Sequence, residues 1–348
     1  MLRPTNPESP IYPFLRRFLA RMDVPVGEGA DAPPDWGAAA ALLARYRLRP
    51  MAYWLLRGSG REAGPDLPAV LESAFFAAAL RYERLAAALE EIGAAFWRRG
   101  IPGIVLKGMA VAGRLYPEPA CRPMEDLDLL VRPTDAAAGG RTLVDLGYSD
   151  LSFGPEDFRH PGNGVTVDLH VGLLNATRLP IRRLAWQPDP EGLWSRSRPL
   201  DLAGGRLRLL DPRDHLAYLC HHFWLHHGLR RPLNMVDICL ELEHTRALPA
   251  DGPAPPPGPA SRGLWYALGA CRDRLGLDLP GPLSPPSGAG PLERLVQRYA
   301  RRGRLPEAMR YAYLWFALPP ASRWRLLPAL AGGAWRQVAR PTPVPWER

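Results

Sequence analysis

Cysteine is scarce in this 348-residue chain, and its spacing excludes more than its number does. The four cysteines, Cys121, Cys220, Cys239 and Cys271, lie far apart and include no C-x-x-C pair. That pattern gives neither a disulfide framework nor a zinc ribbon, and it fits a reducing compartment. No uninterrupted run of about 18 apolar residues occurs, so no transmembrane helix is expected. The opening MLRPTNPESPIYPFLRRFLARM lacks the apolar core of a signal peptide, which places the expected location in the cytoplasm. Also missing is a block of consecutive basic residues interleaved with aromatics, so a nucleic-acid groove is possible but not favoured. The positive excess itself is plain: Lys+Arg 44 against Asp+Glu 35, a formal charge of +9. It suits an anionic partner such as a nucleotide, and it equally suits arginines spread over a solvated surface.

What is present is the composition of a folded protein, 47% hydrophobic and 23% charged. The 41 prolines and 33 glycines predict long irregular connections in places. Three regions separate by pattern. Residues 1–100 read as helical, with one helix over 36–56 and the clearest over 68–99. In the latter Val70, Ala74, Ala78, Leu85, Leu89, Ile92 and Phe96 form the apolar stripe, and Gly100 provides the stop. Phe75, Phe76, Phe96 and Trp97 are expected in the core.

Residues 101–210 change period. A short buried strand over 103–106 leads through Lys107-Gly108 into a helix over 109–115. A second strand covers 127–131, followed by a helix to about Leu146 capped by Thr134. A third, strictly alternating strand over 165–171 reads as the second arm of a hairpin. Residues 211–348 turn helical again: Asp211 caps a helix through Leu225, and Pro232 opens another to about His244. A proline-rich loop follows at 250–260, then two helices at 293–302 and 306–317. The Trp- and Arg-rich segment 324–341 is expected to pack against the body, because its prolines and paired glycines break a membrane-facing stripe.

The chemistry concentrates in the middle region. Side chains two apart on a strand share a face, so Asp126 and Asp128 project together while Leu127, Leu129 and Val131 face the core. On the third strand Asp168 and His170 share the face opposite Val165, Val167, Leu169 and Val171. If those strands are neighbours, Asp168 completes a cluster of three carboxylates. Like charges so gathered repel unless a cation sits among them, and hard oxygen ligands suit Mg²⁺ or Mn²⁺. An isolated Asp-x-Asp usually marks solvated strand or turn residues. The apolar strand beneath it, the Lys-Gly turn before it and the third acid after it favour a site.

The run LKGMAVAGRLYPEPACRPMEDLDLLV, and more broadly residues 85–175, resembles the uncharacterised bacterial nucleotidyltransferase family, a branch of the DNA polymerase β-like superfamily. The later stretch RRPLNMVDICLEL is similar too, though less specific. The resemblance implies an α+β fold: a small mixed-sheet core flanked by the N-terminal and C-terminal helical regions. It implies transfer of a nucleoside monophosphate from an NTP, ATP in the first instance, to an acceptor, with pyrophosphate released. Asp126 and Asp128 would be metal ligands, and Asp168 the third ligand or a general base. The superfamily's usual Gly-Gly or Gly-Ser turn is replaced by Lys107-Gly108, where Gly108 would let backbone N–H groups approach phosphate. Lys107 and Arg122 are nucleotide-binding candidates by charge, or ordinary surface cations. The acceptor, whether small molecule, peptide or protein, is not legible.

Two other classes stand beside this one. A protein of the same fold could bind nucleotide or a partner without turnover. Alternatively, five of the eight histidines fall at 215–227, and His222 and His226 are four apart as zinc ligands on a helix require. No H-E-x-x-H completes that set, so packed or solvated histidines are the expectation there.

Overall fold

The computed structural model describes residues 11–27, 36–57, 67–151, 157–175, 182, 186, 188–248, 259–279, 295, 296, 298 and 299. Of the expected helix at 293–302, residues 295, 296, 298 and 299 are described and are helical; the expected helix at 306–317, the segment 324–341 and most of the proline-rich loop lie outside the described residues.

Four helices come first: α1 (Ile11–Ala20), α2 (Trp36–Arg45), α3 (Arg49–Arg57) and the 32-residue α4 (Leu67–Arg98). The expected single helix over 36–56 is two, because Arg47 takes a left-handed backbone at φ 60° and a left-handed residue cannot continue a right-handed helix. Gly100 at φ 65° ends the long helix as expected. The buried face of α4 differs from the expected one at three positions. Phe75 and Phe96 are buried, whereas Phe76, Trp97 and Val70 are exposed and Leu71 is buried in place of Val70. Adjacent helical residues point about 100° apart, so each neighbouring pair splits between core and solvent.

The sheet begins with β1 (Gly103–Leu106), followed by α5 (Lys107–Leu115), β2 (Asp126–Val131), α6 (Ala136–Asp145), β3 (Ser149–Asp150), β4 (Asp157–Arg159) and β5 (Thr166–His170). A short 3₁₀ turn over Pro133–Asp135 leads into α6, whose first turn has no side-chain cap; the cap expected from Thr134 is not made. Next come α7 (Pro190–Arg196), β6 (Arg198–Pro199) and β7 (Arg208–Leu209). The strand order is β3-β4-β5-β2-β1-β7-β6. β2 runs parallel to β5 and antiparallel to β1, so the sheet is mixed. β4 and β5 form the expected hairpin. Three helices close the described chain: α8 (Pro212–Leu225), capped by the Asp211 carboxylate accepting from Arg213 N–H, α9 (Pro232–Arg246) and α10 (Pro259–Leu275).

Alternation gives the sheet two unlike faces. Val105, Leu127, Leu129, Val131, Val167 and Leu169 pack under Leu85, Leu89, Ile92 and Phe96 of α4 and Leu143 of α6. Ile104, Leu106 and Leu130 on the other face join a larger core with α1, α3, α8, α9 and α10. The N-terminal and C-terminal helices thus share one apolar mass on the face that also carries Asp128 and His170. Among the described residues, no helix is long and apolar enough to cross a membrane.

Candidate active site

The geometry follows from register. Asp128 of β2 stands directly beside Asp168 of β5, Asp126 beside Thr166 and Leu130 beside His170. Parallel pairing in register places those partners on one face about 4.8 Å apart. Asp157 of β4 is paired to Asp168 from the other side, adding an acid that sequence reasoning missed. Burial is graded along this row: Asp126 is solvent-exposed at the strand start, Asp168 is half-buried, and Asp128 and His170 are each 4% exposed.

At the deep end, Asp128 Oδ1 receives two partners. Lys107 Nζ donates to it at 2.6 Å, and His170 Nε2 lies at 2.9 Å. Burial alone would raise the Asp128 pKa, but the Lys107 ammonium and His170 outweigh it and hold the carboxyl well below its usual range. Burial likewise opposes the charge on Lys107, and Asp128 reverses that so the ammonium persists. Among the described residues Asp168 has no such hydrogen-bonded cation. Burial, then Asp128 and Asp126, push its pKa up to about 8. Asp126 is raised also, first by the protein packed around it and then by Asp128, although its side chain reaches solvent.

Asp128, Asp168 and His170 each offer a ligand atom within 4.8 Å of the others. Two carboxylates and an imidazole at that spacing fit a divalent cation. Asp126 belongs to the same row but not to that close group. Among the described residues no other set of three donors converges, and that includes the histidines of α8. His222 and His226 instead stack with ring centroids 4.4 Å apart, and burial drives both pKa values well below the usual range. The zinc alternative on that helix gains no ligand set here.

Lys107 has φ 50°, a left-handed conformation that disfavours side chains other than glycine. The conformational freedom expected of Gly108 is therefore needed one residue earlier. Gly108 serves close approach: an added Cβ would stand 3.0 Å from Met124 Sδ and 3.4 Å from Arg122 Nη1. Arg122 is not an isolated cation. Its Nε and Nη2 donate to Asp237 Oδ1 and Oδ2 at 3.1 and 2.7 Å, and Tyr116 O–H donates to Oδ1 at 2.7 Å. Asp237 belongs to α9, 115 residues away from Arg122, so no local pattern joins them. Arg231, at the start of α9, has its pKa lowered to about 10 by burial and then by Arg122. Arg81 of α4 ties the acidic strands together at their open end, donating to the carbonyls of Glu125 and Gly164.

The structure thus brings together Asp126, Asp128, Asp168 and Lys107, with Gly108 at the head of α5 and Arg122 held to α9. It adds His170, Asp157 and Asp237. His170 was legible as a face-mate of Asp168, whereas Asp157 and the pairing of Asp237 with Arg122 needed the tertiary structure. Such a floor of acids ringed by cations can hold a polyanion together with a cation. Searches of the curated proteins and of the solved structures gave no match to the chain. A family model does match, over residues 32–251, and the chain belongs to the family that it describes, the uncharacterised nucleotidyltransferases.

Proposed function

We propose that the protein transfers a nucleoside monophosphate from an NTP, with ATP as the first candidate, to an acceptor nucleophile. The observation that carries the reading is the side-by-side placement of Asp128 and Asp168 on adjoining parallel strands, with Asp126 at the open end, in a chain of this family. The acceptor atom forms a bond to the α-phosphorus as the bond from that phosphorus to the β-phosphate oxygen breaks, and pyrophosphate leaves. Asp126, Asp128 and Asp168 hold Mg²⁺ or Mn²⁺, with Asp168 toward the acceptor. A cation bound there supplies neutralisation of charge on the attacking and leaving oxygens. Lys107 and the backbone at Gly108 take phosphate oxygens at the start of α5, where unpaired N–H groups point outward. Arg122 adds positive charge from a position set by Asp237. A cytoplasmic setting supplies the NTP, and the acceptor is a small molecule, peptide or protein. This is the chemistry of the DNA polymerase β-like superfamily.

Calorimetric titration of ATP, with and without Mg²⁺, tests the reading on the unmodified chain and on Asp126→Asn/Asp128→Asn. The expected result is binding that needs Mg²⁺ and is lost in the double variant. Binding unchanged by the double substitution would overturn these carboxylates as the nucleotide–metal site.

A further inference from the structure

The geometry points to His170 as a direct metal ligand, making the deep end of the site a two-carboxylate, one-imidazole centre that prefers Mn²⁺ to Mg²⁺. The inference rests on the proposed metal-dependent reading and changes its ligand set. The all-acid set expected from sequence places Asp126 with Asp128, yet the atoms that converge are those of Asp128, Asp168 and His170, mutually within 4.8 Å. Register explains the choice. Asp128 and Asp168 stand side by side, His170 is two residues further along the same face of β5, and Asp126 is opposite Thr166 one step toward solvent.

Burial separates the two candidates for the remaining position. His170 is 4% exposed, as Asp128 is, whereas Asp126 is exposed. A donor held by packing on a central strand needs less ordering on binding than one at an open strand end. Nε2 is the nitrogen that faces the acids, 2.9 Å from Asp128 Oδ1. Asp126 then remains available at the mouth for a second cation carried in with phosphate oxygens, so the row Asp126, Asp128–Asp168, His170 spans a shallow and a deep position. Donor type sets the preference between ions. Mg²⁺ demands hard oxygen ligands and sheds water reluctantly, whereas a nitrogen donor favours first-row transition ions over it.

The test uses the full chain with Mn²⁺ alone, read by pulsed electron paramagnetic resonance. The expected spectrum contains the coupling of a directly bonded ¹⁴N, replaced by a ¹⁵N pattern in protein grown with ¹⁵N-histidine. His170→Gln is expected to remove it and His222→Gln, a nearby histidine outside the donor group, to keep it. His170→Gln should also lower the ratio of Mn²⁺ to Mg²⁺ affinity about tenfold, at the lower end of what a lost site interaction costs. Mn²⁺ that binds in an Asp128-dependent way without nitrogen coupling would overturn the ligand assignment and leave the proposed function standing, with His170 merely orienting Asp128. Failure of Mn²⁺ to bind, in the unmodified chain and in Asp128→Asn alike, would overturn both. Should His170→Gln not fold, the isotope comparison on the unmodified chain decides the matter.

Discussion

Two clusters of buried charge lie within a few residues of each other in this fold, and they are built on opposite principles. On α9, Asp237 and Glu241 are both fully buried and both compensated. Asp237 takes a bidentate Arg122 and the Tyr116 hydroxyl, while Glu241 takes Arg114 at 2.6 Å and His215 at 2.8 Å. On the sheet, Asp126, Asp128, Asp157 and Asp168 share one short row, and Lys107 and His170 both engage Asp128. At Asp168 burial and the neighbouring acids outweigh the attraction of Lys107, and its pKa climbs to about 8. A chain that sets a cation against each buried carboxylate of α9 has left Asp168 on the sheet under-compensated. That is the arrangement expected where an external cation completes the site.

The comparison breaks or sharpens through stability measured apart from binding. The largest effect is expected from Asp237→Ala, which strands a buried guanidinium and a phenol. Removing one partner of such a pair costs about 3–5 kcal/mol, read as a lower urea midpoint with unchanged slope. A loss under about 1 kcal/mol would show that α9 is not the structural cluster. Asp168→Asn should do the reverse: nucleotide and Mn²⁺ binding weaken tenfold or more, while the unfolding midpoint holds or rises because a repelling charge is gone. A large loss of stability there would erase the distinction between the two clusters.

Acid should unsettle the helical side in a defined window. His222 and His226 are held uncharged in the fold, chiefly by burial, with Lys107 among the cations that add to it. Their folded pKa values lie below the unfolded value near 6.5, so the unfolded chain takes up protons first. Stability should be fully present above that pH and fall beneath it, by at most about 1.4 kcal/mol per pH unit for each histidine. Glu241, depressed in the fold despite its burial because His215 and Arg114 favour its charge, adds a further loss only as pH drops through the carboxylate range. Urea midpoints at pH 7.5, 6 and 5 would follow this, and His222→Gln should flatten the first step. The smallest effect belongs to the surface. Glu191, 74% exposed and paired with Arg132, should change stability by less than about 0.5 kcal/mol when replaced by alanine. A bigger change would mean that exposed pairs matter here as buried ones do.

Much of the site is legible in the sequence. Period-two alternation over 126–131 and 165–171 assigned one face to aliphatic side chains and the other to Asp126, Asp128, Asp168 and His170. The structure keeps that division, because a one-residue slip would expose every leucine and valine of the strands. The start of α8 at Asp211 and of α9 at Pro232 was equally local, since caps and proline act within one turn. Exposure of Phe76 and Trp97 was not legible, because which side of a long helix meets the sheet depends on the packing angle and not on hydrophobicity alone. β6 and β7, two residues each, carry too few positions for a period to show.

The sequence by itself determined which residues could bear charge on a buried strand, and with them the family to which the chain belongs. Alternation and the Lys-Gly turn are properties of neighbouring residues, so no fold is needed to see them. Only the tertiary structure decided that β2 and β5 lie side by side in parallel, that His170 rather than Asp126 joins the close donor group, and that Arg122 is held by Asp237. Those outcomes depend on strand order and on contacts between residues 42 and 115 positions apart. At such separations chain connectivity imposes almost no preference, and packing of the two apolar cores selects the partner.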